Sequence, residues 1–172
     1  MEYWDIYDVY RQKTGRIGVR GEKVLSGDYH LVVHVILFNR EGKMLIQQRQ
    51  SCKRSWPDKW DISVGGCAMA GESSQQAAMR EMREELGLTI DLSRTAPDLM
   101  VGFHEGFDDM YLHVADIDLD SLTLQTDEVQ AVRWATQQEI LDMIATGDFI
   151  PYQPALIPLF FDLRHHGGGL TE

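Results

Sequence analysis

Between Ser73 and Leu88 the chain concentrates Arg80, Glu81, Glu84 and Glu85 in two turns of what its local pattern makes a helix. Ser73 with Gln76 three residues later forms a capping box, and Gly87 stands where a left-handed residue closes a helix. Ala78, Met82 and Leu86 recur at i, i+4 and i+8, which predicts a narrow apolar seam along a helix over 73–86. At about 100° per residue, positions 81, 84 and 85 share one face. Three carboxylates gathered there repel one another, so the arrangement costs stability unless a cation resides among them. Hard divalent ions with oxygen ligands suit such a cluster, whereas zinc prefers histidine or cysteine close by. Arg80, at i, i+4 to Glu84, orients that carboxylate or neutralises part of the charge. Taken alone, an acidic helix face with an arginine is more commonly a solvated surface. Either way, the fold must bury the seam and leave the acidic face open.

The flanking pattern supplies a sheet for the seam to pack on. Residues 30–39 (HLVVHVILFN) are β-branched and apolar and predict a strand. The turn Asn39-Arg40-Glu41-Gly42 and a second strand over 43–49 then predict a hairpin. Segment 50–59 reads as a loop, 60–64 as a short strand and Gly65-Gly66 as a break. Further strands are expected near 99–103, 111–117 and 129–134. Thr136 and Glu139 repeat the capping-box pattern and open a helix to about Ala145, and a last helix is expected over 154–164. Tyr3 and Trp4 suit an N-terminal strand or a dimer contact. Strands before, between and after helices predict an α+β (α/β) fold with a mixed sheet packed between helices.

A chain of 172 residues can bury a core and is expected to be one domain over 1–172. Its longest apolar runs, 34–38 and 155–161, are far too short to span a bilayer. The first residues, Met1-Glu2-Tyr3-Trp4-Asp5, lack the basic start and apolar stretch of a signal peptide, so a cytoplasmic location is expected. The net charge of −11 repels phosphate backbones, so no nucleic-acid partner is expected. Divalent cations held by some of the 27 acidic groups would reverse that sign locally. Two cysteines, Cys52 and Cys67, form no CxxC and read as reduced thiols. Gly167-Gly168-Gly169 suits the start of a loose tail, and the adjacent His165-His166 is more commonly solvated than metal-bound.

The acidic helix gains a meaning from what flanks it. Gly66, Glu72, Arg80, Glu81, Met82, Glu84, Glu85, Gly87 and Leu88 match every fixed position of G-x5-E-x7-R-E-U-x-E-E-x-G-U, where U is a bulky aliphatic residue. Over 66–88 the chain thus resembles the Nudix hydrolase family. That resemblance implies a Nudix fold, a mixed sheet sandwiched between helices, with the motif as loop–helix–loop. It implies Mg²⁺- or Mn²⁺-dependent hydrolysis of a small-molecule diphosphate, typically a nucleoside diphosphate derivative. By the same resemblance Glu84 and Glu85 are expected metal ligands, and Glu81 a ligand or base. Arg80 is expected to pair with a motif carboxylate, Glu72 first, and a backbone carbonyl at Gly65 or Gly66 to complete the metal site. Homodimers are common in the family, so a homodimer is a further expectation. Glu128 is the candidate for an additional ligand or base from outside the motif, with a solvated loop acid as the alternative.

Residues 29–88 also resemble type 1 isopentenyl diphosphate isomerases, through Gln48-Arg49, Lys53-Arg54, Trp56-Pro57, Trp60 and Ser63-Val64. That similarity implies Arg49 and Lys53 as ligands of the substrate diphosphate, with Arg54 in reserve; a solvated loop cation is the alternative for each. The isomerases carry a catalytic cysteine where this chain has Gly65 and a metal-binding histidine where it has Cys67. Of the histidines and glutamates that hold their metal, only His30 finds a match. Isomerisation needs an acid/base pair across a double bond, and Gly65 removes one half. Hydrolysis is therefore expected; isomerase-like chemistry and a non-catalytic nucleotide-binding domain are the alternatives. Trp60 and Trp56 suit stacking on a nucleobase, though core packing is the commoner use. His34 reads as a satisfied sheet histidine. Asp108 and Asp109 read as loop acids, solvated or reaching the metals.

Overall fold

Alternation along one strand decides where everything else packs. In the computed structural model, which describes residues 2–165, β3 (His30–Phe38) is the central strand. Successive side chains point to opposite faces of a sheet. Leu31, Val33, Val35 and Leu37 join a core with Ala77, Ala78, Met82 and Leu86 of α1 (Ser74–Leu86). Ile36 and Phe38 face the other way, joining Ile140 of α2 (Gln137–Thr146) and Ile157, Phe160 and Phe161 of α3 (Leu156–Leu163). The sheet is thus covered by α1 on one side and by α2 and α3 on the other, as expected.

The sheet is mixed. β3 runs parallel to β8 (Gly106–Val114), and β7 (Leu99–Phe103) extends that edge antiparallel. On the other side β4 (Met44–Arg49) pairs with β9 (Val129–Ala135) and with β5 (Trp60–Ile62), both antiparallel. The predicted hairpin of β3 and β4 forms only at its root, Phe38 opposite Met44. Beyond that pair the strands part, because residues 60–67 wedge between them: β5 pairs with β4, and β6 (Val64–Cys67) with β3.

Ser63 stands at the switch, fully buried, its hydroxyl accepting from Leu37 N–H at 2.8 Å and donating to the Leu45 carbonyl at 2.6 Å. It supplies the rung that backbone cannot reach. Ser63→Ala strands a buried donor and a buried acceptor and is expected to cost about 2–4 kcal/mol. Urea unfolding measures this; an unchanged midpoint would show that the two strands do not depend on that hydroxyl.

The expected break at Gly65-Gly66 is corrected: both glycines lie within β6, directly opposite His34 and Val33. Asp108 and Asp109 are also corrected, from a loop to the middle of β8, where both are buried. There Asp108 meets His34, and one Asp109 oxygen is ion-paired with Arg11. The strand expected near 111–117 starts earlier and ends at Val114. Both capping boxes form, at Ser73–Gln76 and Thr136–Glu139, and Gly87 and Gly147 close their helices with φ of 69° and 79°. Tyr3 and Trp4 fall in β1 (Tyr3–Tyr7), which pairs antiparallel with an unforeseen β2 (Lys13–Val19) as a separate two-stranded sheet. Among the described residues no helix is long and apolar enough to cross a membrane. The 165–166 histidine pair and the glycine run 167–169 extend outside the described residues.

Candidate active site

The seam of α1 fixes its rotation, and that rotation fixes the carboxylates. With Ala78, Met82 and Leu86 fully buried, Glu85 is carried down with them to 5% exposure, while the side chain of Glu84 stays 47% exposed. β6 runs beneath the helix, and its glycines are explained by what lies on either face. A Cβ at Gly66 would meet the Glu81 carboxylate at 2.1 Å. One at Gly65, facing the other way, would meet the His34 ring at 2.2 Å. The glycine pair therefore lets the strand pass between a carboxylate and an imidazole.

Arg80 organises most of the acids. Its Nε and Nη2 donate to the two oxygens of Glu72 at 2.8 and 3.0 Å, and Nη2 also donates to the Cys67 carbonyl at 3.0 Å. Its Nη1 is shared between Glu81 at 2.8 Å and Glu84 at 2.9 Å. Burial works against the guanidinium charge, but these carboxylates more than offset it and raise the Arg80 pKa. Burial likewise works to raise Glu72, yet Arg80 and the Met69 N–H hold it below the usual range. For Glu81 burial wins over Arg80, and its pKa is raised.

Glu85 is the acid left out. Among the described residues it has no cationic partner; Gln47 Nε2 donates to it at 3.0 Å, and the oxygen of that same amide is buried with no partner. Burial first, then the neighbouring Glu81 charge, push the Glu85 carboxyl up to about 8. Oxygen donors of this kind, one of them a buried acid lacking a counter-charge, fit a hard divalent cation. Among the described residues no three acidic, histidine or cysteine side chains are already gathered for a metal. The reason is visible: Arg80 Nη1 stands between Glu81 and Glu84.

The cleft above this helix encloses about 160 Å³ and has a strongly polar lining. Glu81, Glu84, Glu85, Arg80, Gly65 and Glu128 border it, and so do Arg49 and Lys53. Lys53 comes from the loop after β4 and is ion-paired with Glu128. Arg49 sits at the end of β4, 3.3 Å from Asp61 and bonded to the Ser55 carbonyl. Trp60 is not in the lining: it packs against the α2–α3 core, with the Arg133 guanidinium 5.1 Å over its ring. Trp56 is half-exposed, at a positive φ of 51°. Sequence reasoning passed over Arg20, Glu2 and Gln125, which also border the cleft. Arg20 and Glu2 carry no local pattern that marks them.

Under the cleft floor lies a second polar layer. His34 Nδ1 meets both Asp108 oxygens, at 2.8 and 2.9 Å. Burial would lower this imidazole, but Asp108, with Asp61 and Glu85 farther off, more than offsets it and the pKa is raised. The Tyr152 hydroxyl donates to Asp61 at 2.8 Å, and Asp61 in turn holds Arg49. His30 lies apart from the cleft, stacked on Trp4 at 4.8 Å with Phe103 at its edge.

The geometry agrees with what the chain is similar to. The NUDIX domain family model matches residues 28–155. An uncharacterized Nudix hydrolase of Listeria monocytogenes is 48% identical over 152 residues, 88% of this chain and 90% of that protein. An isopentenyl-diphosphate Delta-isomerase of Salmonella heidelberg is 32% identical over 97 residues, 56% of this chain and 54% of that protein. In three dimensions, a crystal structure of a Deinococcus radiodurans protein superposes with a TM-score of 0.75 at 24% identity, covering 92% of this chain and 97% of that one. The family model and the Listeria protein thus match this chain in sequence, and the Deinococcus structure matches it in fold. The chain belongs to the Nudix hydrolase family, on the branch that resembles isopentenyl diphosphate isomerase.

Proposed function

We propose that this chain hydrolyses the diphosphate linkage of a nucleoside diphosphate derivative with Mg²⁺ or Mn²⁺, and that 1–172 works as one catalytic unit. Glu81, Glu84 and Glu85, with the backbone carbonyl at Gly65 or Gly66, would hold the ion. Glu81 and Glu84 must then exchange their shared Arg80 bond for it, leaving Arg80 on Glu72 and the Cys67 carbonyl. The observation that carries this reading is Glu85, a buried carboxylate beside Glu81 with no cationic partner among the described residues. A domain that merely bound nucleotides would gain nothing from keeping such a group.

A divalent ion supplies charge neutralisation for the phosphate oxygens and lowers the pKa of the attacking water. Every other task falls to this chain's side chains. Arg49 and Lys53 are the expected diphosphate ligands, and Asp61 with Tyr152 holds Arg49 in place. Glu128 shares its charge with Lys53, so substrate that draws Lys53 away frees a carboxylate to accept a proton from water. The cleft is smaller than the roughly 300–1,000 Å³ that encloses a whole drug-sized ligand. The diphosphate therefore fits within it, and the groups it joins extend outside. Trp60 would meet such a group only beyond the lining.

Metal-dependent release of nucleoside monophosphate or phosphate from a panel of diphosphates is the test. Turnover is expected with Mg²⁺ or Mn²⁺ and none with a chelator. A broad panel with no metal-dependent turnover, from folded protein, would overturn the reading.

A further inference from the structure

One cation in the cleft comes from outside the residues that the NUDIX domain family model matches. Arg20 lies before residue 28, where that match begins, yet it borders the cleft with Glu81, Glu84, Arg49 and Lys53. Its placement is built. The Glu22 N–H donates to the Val19 carbonyl at 3.1 Å, and Gly21 has φ of +92°, the positive value a type II turn requires at its third residue. Arg20 is the second residue of that turn, so a closed turn projects its side chain.

The hairpin behind it is anchored independently of Arg20. Trp4 lies across Gly18, where any Cβ would meet the indole nitrogen at 2.2 Å, and stacks on His30. Ala70 N–H donates to the Tyr3 carbonyl at 2.8 Å, tying β1 to the loop that leads into α1. Arg11, at the hairpin turn, is ion-paired with the buried Asp109. Even at residue 20 the register is held by backbone, since its N–H donates to the Glu2 carbonyl at 2.9 Å.

What the Arg20 guanidinium itself touches is Glu2, and the two side chains are 51% and 45% exposed. A pair this exposed contributes little to stability. The other cleft cations are held more firmly: Arg49 by Asp61 at 8% side-chain exposure, Lys53 by Glu128 and Arg80 by the motif acids. Arg20 is thus the cleft cation most easily parted from its carboxylate. A phosphate oxygen carries enough charge to replace a single half-solvated carboxylate, and the guanidinium fork suits it.

We propose that Arg20 binds a phosphate of the diphosphate substrate, and that Glu2 is its internal competitor, displaced when substrate enters. This rests on the diphosphate-hydrolase reading. Arg20 is a binding residue from a segment that sets this chain's affinity, and Glu2 weakens that affinity in proportion to its hold on the guanidinium.

The two partners of one ion pair then have opposite effects, which a structural pair would not. The test is calorimetric titration of methylenediphosphonate, a non-hydrolysable diphosphate, into the full chain with saturating Mn²⁺. Arg20→Gln is expected to weaken binding about tenfold, and Glu2→Gln to tighten it about threefold. Arg20→Lys, which keeps the charge and loses the fork, should fall between. Wild-type binding that Arg20→Gln leaves unchanged, or that both substitutions weaken alike, would overturn the role of Arg20 alone. A wild-type protein that binds no diphosphonate would instead overturn the diphosphate reading on which it rests.

Discussion

Glu85→Gln is expected to cut turnover about a hundred- to thousandfold or more, and yet to leave the metal-free protein more stable at pH 8 than the unsubstituted chain. Both effects come from one fact, a carboxylate at 5% exposure whose hydrogen-bond donor, among the described residues, is a single amide. The glutamine has the same shape, can accept from Gln47 Nε2 and carries no charge to bury. The sign follows from linkage. Glu85 has an ordinary value of 4.5 and is pushed up to about 8 in the folded chain. Between those values the folded state holds a proton that the unfolded state has lost, so this group makes stability fall as pH rises from about 5 to 8. The loss across that window is on the order of a few kcal/mol. Thermal unfolding in chelator should therefore show a wild-type midpoint that declines with pH and a flatter Glu85→Gln curve. Glu84→Gln supplies the contrast: it should lose turnover without gaining stability, because Glu84 is half-exposed and already shares Arg80. A Glu85→Gln protein less stable than wild type at pH 8 would mean that the buried charge is satisfied by something other than a metal.

Gly65→Cys, the residue that the isomerases carry at this position, is expected to destabilise the chain by about 2–4 kcal/mol and to produce no dimethylallyl diphosphate from isopentenyl diphosphate. The added Cβ would lie 2.2 Å from His34 Cδ2 and 2.4 Å from its Nε2. That ring cannot swing away cheaply, because both oxygens of Asp108 hold its Nδ1 and the pair is largely buried. Either the strand shifts or the pair breaks. Cys67 offers no substitute, since burial pushes its thiol up and away from the reactive thiolate. Denaturant unfolding and product analysis check both halves. Wild-type stability together with isomer formation would mean that this branch retains the isomerase chemistry behind a single substitution.

What the sequence makes legible here is what is decided locally. α1 and α2 announce themselves because a capping box, an apolar seam and a closing glycine all lie within one helix length. The motif acids are legible for the same reason. The strand through Gly65-Gly66 is not, because what demands glycine there is His34 on one face and Glu81 on the other. Asp108 and Asp109 look like loop residues until their partners arrive from 74 and 98 residues away. β2, with its two glycines and exposed residues, shows no periodicity; it is a strand because it pairs with β1, and Gly18 leaves room for the Trp4 indole. Arg20 is hidden for a related reason, since only the packing of that hairpin against the motif loop brings it to the cleft.

The most direct measurement is the number of protons expelled when Mn²⁺ binds the substrate-free chain, obtained by calorimetry in buffers of different ionisation enthalpy. A carboxyl that titrates at about 8 is mostly protonated at pH 7, so binding there should release about one proton, declining toward none above pH 9. The Glu85→Gln protein should release none. Manganese that fails to bind, or that binds wild type at pH 7 without expelling a proton, would contradict the claim that a divalent ion takes its place beside Glu85.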